Sequence, residues 1–140
     1  MNSSSLASLL QSFFTRRMLE QQGLSSHTVA SYRDTFRLLL GFATLHFCRA
    51  PSKLLTQELD VSFIEKFLQH LEQSRGNTVR TRNTRLAAVH AFFSFVAISE
   101  PALSLQCQRI LAIPAKRYEH RPVEFLTEEK AVALVAVCAD

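Results

Sequence analysis

The chain has no tryptophan, and only three glycines, four prolines and three cysteines in 140 residues. So few backbone breakers leave room for long helices. Cys48, Cys107 and Cys138 are odd in number, far apart, and form no C-x-x-C pair. That spacing argues against a disulfide framework or a zinc site. All three are expected to be small core hydrophobes in a reducing, cytoplasmic setting. No apolar run approaches the roughly 18 residues of a membrane span, so no membrane contact is expected. The opening MNSSSLASLLQSFFTRRM has no basic residue before its apolar part, which Ser and Gln interrupt. It is not expected to act as a secretory signal. No glycine-rich phosphate loop, H-E-x-x-H, nucleophile elbow or paired-carboxylate constellation occurs. No catalytic group, cofactor or metal is therefore expected, and the five scattered histidines are expected to be surface or satisfied core groups.

One further absence is local. No acid occurs from Gln73 to Ser99, although Arg80, Arg82 and Arg85 crowd NTVRTRNTRLAAVHAFF, residues 77–93. The whole chain is only mildly basic, with 16 basic against 12 acidic side chains. The placement of charge is therefore more informative than its sum.

Apolar periodicity predicts an all-α fold, a compact bundle of four main helices plus a short fifth. The first helix is expected from about Ser5 to Gln22, stopped by Gly23. The second opens at Ser25 or Ser26 and carries Val29, Tyr32, Phe36, Leu39, Leu40, Ala43 and Phe47 inward. RAPSKLLTQEL reads as a loop. Asp60 caps the third helix, with Val61, Ile64, Phe67, Leu68 and Leu71 inward, and Gly76 breaks it. The fourth is expected to start near Thr81, with Leu86, Val89, Phe93 and Val96 inward, and to stop before Pro101. ALSLQCQRILAI is the short fifth helix. These divide the chain into a helical domain over 1–113, an exposed linker over 114–124, and the start of a further domain over 125–140, capped at Thr127.

The start of the fourth helix carries the clearest chemical signal. Free N–H groups and the helix dipole suit it to phosphate, and Arg80, Arg82 and Arg85 strengthen that. Asn83, Ala87, His90 and Ser94 share a ridge away from the apolar stripe. Asn pairs bidentately with adenine and Ala packs on a thymine methyl, so the ridge is suited to a major groove. Arg80 is the best phosphate candidate and Arg85 a flank. Arg82 lies four before Leu86 and seven before Val89, which aligns it with the inner stripe as an edge residue. The second helix offers a similar ridge of Ser26, Ala30, Arg33 and Arg37, with His27 near its start. Solvated arginines are the commoner reading of such faces.

In order and spacing these elements resemble the N-terminal core-binding domain of tyrosine recombinases, the phage integrase and Xer type. The stretches LSSHTVASYRDTFRLLLGFA, TRNTRLAAVHAFFSFVA and IPAKRYEHRPVEFLTEEKAVALV carry the resemblance, which covers Leu6 to Val137. It implies a SAM-like helical domain whose second and fourth helices cross DNA. Ser25, Ser26, Thr28 and Arg33 match the second-helix motif, and Thr81, Asn83, Thr84 and Arg85 the fourth. Lys116 and Arg117 match a basic linker that tracks the backbone between two domains clamping the duplex. His90 stands where an Arg is common, and Arg82 where an apolar residue is usual. The family's catalytic Arg, Lys, His-x-x-Arg and Tyr nucleophile lie beyond the Leu-Thr-x-Glu-Glu helix, so the resemblance places none of them in these residues. The implied partners are double-stranded DNA at a recombination core site and other protomers, a tetramer at synapsis. Competing with this are a helical protein–protein module with merely solvated basic faces and, more weakly, RNA binding.

Overall fold

Each long helix begins at a hydroxyl or carboxylate that caps it. The computed structural model describes residues 5–18 and 25–117. Ser5 Oγ accepts the Ser8 N–H (3.0 Å) at the start of α1, Leu6–Ser12, which continues as a wider π-helical stretch over Phe13–Met18. Ser25 Oγ accepts the Thr28 N–H (3.0 Å) at α2, Ser26–Phe47. Asp60 Oδ1 accepts the Phe63 N–H (2.9 Å) at α3, Val61–Gln73. Thr78 Oγ1 accepts the Thr81 N–H (3.1 Å) at α4, Val79–Ser99. Each such cap satisfies a donor the helix leaves unpaired and contributes about 1 kcal/mol. A fifth helix, α5, covers Ser104–Leu111. Among the described residues there is no strand, only one isolated bridge between Ser5 and Leu55.

α4 is the central helix. Leu86, Ala88, Val89, Phe92, Phe93, Phe95 and Val96 are all buried on it, which is wider than one stripe. It packs against α2, α3 and α5 together, so its second half is apolar nearly all round. Phe13 is fully buried and gathers rings from three segments: Tyr32 and Phe36 of α2, Phe92 and Phe95 of α4, and its neighbour Phe14, with centroids 5.2–6.4 Å apart. Rings at these spacings add roughly 0.5–1.5 kcal/mol per pair beyond burial.

Four expectations need correction. α4 starts earlier than Thr81, because Thr78 supplies the cap and Thr81 is already inside the helix. RAPSKLLTQEL is not a free loop: two short 3-10 turns, Pro51–Lys53 and Thr56–Glu58, let it bury Leu54, Thr56 and Leu59 completely. Gln106 of α5 pins it, donating to the carbonyls of Thr56 (3.0 Å) and Leu59 (2.9 Å). Arg49 pairs with Glu58 over the same segment. Burial pushes the Glu58 carboxyl up, but Arg49 and the Leu55 N–H outweigh it and hold it below its ordinary value. Finally, the cysteines differ. Cys107 is buried, which pushes its thiol up, whereas Cys48 is exposed at the left-handed end of α2 (φ 56°). The first helix is α-helical only to Ser12. Its expected end at Gly23, Cys138 and the helix expected over 125–140 lie outside the described residues.

Candidate nucleic-acid interface

The second helix keeps its basic ridge in solvent. Ser26, His27, Ala30, Arg33 and Arg37 are all exposed, and Ser25 caps the helix that carries them. The Thr28 hydroxyl lies 3.1 Å from Ser25 Oγ, so the two form one hydroxyl pair at the helix start. Arg37 pairs with Asp34 at 3.1 Å, with both side chains more than half exposed. Such a pair is worth little and exchanges readily. Arg33 makes no ion pair among the described residues.

The fourth helix opens on the same device, with Thr78 and Thr81 hydroxyls 3.2 Å apart. Its three arginines go to three different places. Arg80 is exposed on the first turn, with its carbonyl accepting the Thr84 hydroxyl at 3.0 Å. Arg82 is only 12% exposed, with Nε 3.7 Å from a Glu72 oxygen at the end of α3. Arg85 turns inward across the bundle. Its Nη1 donates to the Ser31 carbonyl (3.3 Å) and the Thr35 hydroxyl (3.2 Å) of α2. The buried Thr35 hydroxyl donates to the same Ser31 carbonyl at 2.9 Å, so two helices meet on one acceptor.

Asn83 and Lys116 meet in an exchange like that of paired strands. The Asn83 amide donates to the Lys116 carbonyl (2.8 Å) and accepts the Lys116 N–H (2.9 Å). Lys116 Nζ then reaches both Glu72 oxygens, at 2.9 and 3.0 Å. Glu72 thus lies between two cations, Arg82 and Lys116. The stretch from Gln73 to Ser99 is free of acids, but the residue just before it is not. Arg117 follows, exposed.

The expected outward ridge of α4 is rotated. His90 is half-buried, and its Nε2 lies 3.1 Å from the Ile110 carbonyl of α5, an acceptor that calls for the Nε2–H tautomer. Burial lowers its proton affinity, while the carbonyl contact acts in the opposite sense. With Asn83 under the linker and His90 under α5, the solvent ridge of α4 is Arg80, Thr84 and Ala87. The sequence missed Glu72, Ser31 and Thr35. Only Thr35 carried a local signal, since it stands four before Leu39 and eight before Ala43 on the apolar stripe of α2. Among the described residues no group of His, Cys, Asp or Glu is arranged to hold a metal, and no helix is long and apolar enough to cross a membrane.

The comparisons with known proteins agree with this architecture. The family pattern described as phage integrase, N-terminal SAM-like domain matches residues 10–100. Two proteins of Sinorhizobium fredii (strain NBRC 101917 / NGR234) are similar along nearly all of the chain. "Putative integrase/recombinase y4rC" is 48% identical over 133 residues, 95% of this chain and 40% of that protein. "Putative integrase/recombinase y4rD" is 43% identical over 130 residues, 93% of this chain and 46% of its own. The chain spans less than half the length of these curated relatives. No solved structure matches it significantly. The end of α1 and all of α2, α3 and α4 fall within the matched residues, and the chain belongs to the phage integrase N-terminal SAM-like domain family.

Proposed function

We propose that the chain binds double-stranded DNA as the core-binding domain of a site-specific tyrosine recombinase. One observation carries this: the Arg85–Ser31 bond ties α2 and α4 together in the second turn of each. At 1.5 Å per residue, both helix starts lie within about 9 Å, along their axes, of that tie. Two N-terminal dipole ends are thereby held near one another, and each suits phosphate. Ser25, Ser26, His27, Thr28, Arg33 and Arg37 line one start, and Arg80, Thr81 and Thr84 the other. Arg82 and Arg85 support this surface from inside. Asn83 clips the linker that carries Lys116 and Arg117, and His90 braces α5.

Residues 1–113 act as the binding domain, 114–124 as the linker, and 125–140 as the opening of the catalytic half. Strand exchange belongs to a longer protein that carries the Tyr nucleophile, with other protomers on the same DNA. Fluorescence anisotropy with a labelled duplex across a salt series tests the proposal. Arg33→Ala and Arg80→Ala should each remove about 0.9 from the log–log salt slope. No duplex binding at low salt would sink it.

The protein–protein reading also has an observation in its favour. Leu45, Ile98 and Leu105 are 81%, 72% and 59% exposed. Sedimentation of the free chain separates the two: a stable oligomer whose duplex affinity ignores Arg33→Ala favours the second.

A further inference from the structure

Glu72 is placed to do more than neutralise a surface lysine. Its carboxylate lies between an exposed cation and a largely buried one. Lys116 Nζ, on a side chain 52% exposed, holds both oxygens at 2.9 and 3.0 Å. Arg82, 12% exposed, stands with Nε 3.7 Å from Oε1, beyond hydrogen-bond length. That Nε is buried and has no hydrogen-bond partner. A buried donor left unpaired is costly, so it favours any shift that completes the bond. The Lys116 backbone, meanwhile, is fastened on both its N–H and its carbonyl by Asn83.

We propose that Glu72 is a positioning residue that holds the Lys116 ammonium until a DNA phosphate replaces it; this rests on the duplex-binding reading above. When Lys116 swings to phosphate, Glu72 is not left as a bare carboxylate. It closes the remaining gap to Arg82 Nε and satisfies the orphaned donor. The departure of one cation is offset by the tightening of the other, which keeps the exchange inexpensive. Asn83 keeps the Lys116 backbone in place, so only the side chain moves. The linker therefore stays docked on α4 while its charge is transferred from the protein to the duplex. Were Lys116 free from the outset, it would bind any polyanion. Held by Glu72, it engages only where a phosphate lies within reach of its fixed Cα.

The test has a DNA-free arm and a DNA arm, both on the 140-residue chain. In the first, amine acylation is followed site by site by mass spectrometry, with the exposed Lys53 and Lys66 as internal references. Lys116 should label more slowly than either in the wild-type protein and at their rate in Glu72→Gln. In the second, duplex affinity is measured by anisotropy at fixed salt. Glu72→Gln should bind about two- to fivefold tighter, the range for releasing one partly exposed ion pair. Lys116→Ala should abolish that gain and lower the salt slope by about 0.9. Glu65→Gln, an exposed acid on the same helix, should give a smaller gain that Lys116→Ala leaves intact. Should Glu72→Gln compromise folding, Lys116→Ala alone still decides, because without a phosphate contact from Lys116 the slope stays unchanged. Equal labelling of Lys116 and Lys66 in the wild-type protein overturns the proposal. So does a Glu72→Gln gain that survives Lys116→Ala. A labelling contrast without duplex binding by either protein leaves the ion pair standing and removes the duplex reading, and the exchange with it.

Discussion

α2 and α4 start alike and diverge within two turns. Each opens on a hydroxyl pair spaced by three residues, Ser25 with Thr28 and Thr78 with Thr81. Each then carries arginines. On α2 both Arg33 and Arg37 remain in solvent. On α4 only Arg80 does, because Arg82 lies against Glu72 and Arg85 reaches across to α2. The helix with the denser basic sequence thus presents the sparser basic surface. The difference is one of burial. α2 packs on one side, so its other side is free for charge, whereas α4 is packed from three directions and two of its three cations, Arg82 and Arg85, become internal ties.

The largest effect should separate the two kinds of arginine by stability. Arg85→Ala removes charged hydrogen bonds to Ser31 and Thr35 and should lower unfolding free energy by about 2 kcal/mol in urea titrations. Arg33→Ala should change it by less than about 0.5 kcal/mol. Equal losses would erase the distinction. Next come the caps: Thr78→Ala and Ser25→Ala should each cost about 1 kcal/mol. A loss at Thr78 several times larger would show that the two helix starts are alike only in geometry.

On DNA the contrast should invert. Arg33→Ala should cut the salt slope by about 0.9, while Arg82→Ala should leave it unchanged, since that cation faces Glu72. The smallest effect concerns His90. Burial, its first cause, depresses its proton affinity in the folded protein, so the unfolded chain binds the proton more readily. Stability from this site is complete above the ordinary value of 6.5 and falls as pH drops through it toward the lowered folded value. Thermal melts of wild type should therefore lose more between neutral and mildly acidic pH than those of His90→Gln. A parallel decline in both would remove His90 from the acid response.

Much of the fold was legible along the chain. Asp60 and Ser25 announced their helices by chemistry that acts within four residues, and Pro101 ended α4 by missing a donor. The alignment of Arg82 with Leu86 and Val89 placed it at the edge of the core. The site was less legible. Periodicity told which side of α4 was apolar, but not that α5 and the linker would cover part of the polar side as well. His90 and Asn83 were assigned outward because their partners, the Ile110 carbonyl and the Lys116 backbone, are backbone groups that no residue identity reveals. Glu72 lay one residue outside the acid-free window and meets Lys116 across 44 positions.

The sequence by itself determined the helices, their caps, the apolar stripes and the number of cations, because these depend on neighbours within a turn. Which cations stay available to a phosphate was decided only by the tertiary structure. Charge is a property of a residue, but its availability depends on what packs beside it. Glu72, Ser31 and Thr35 reach Arg82, Arg85 and Lys116 only once the helices have come together.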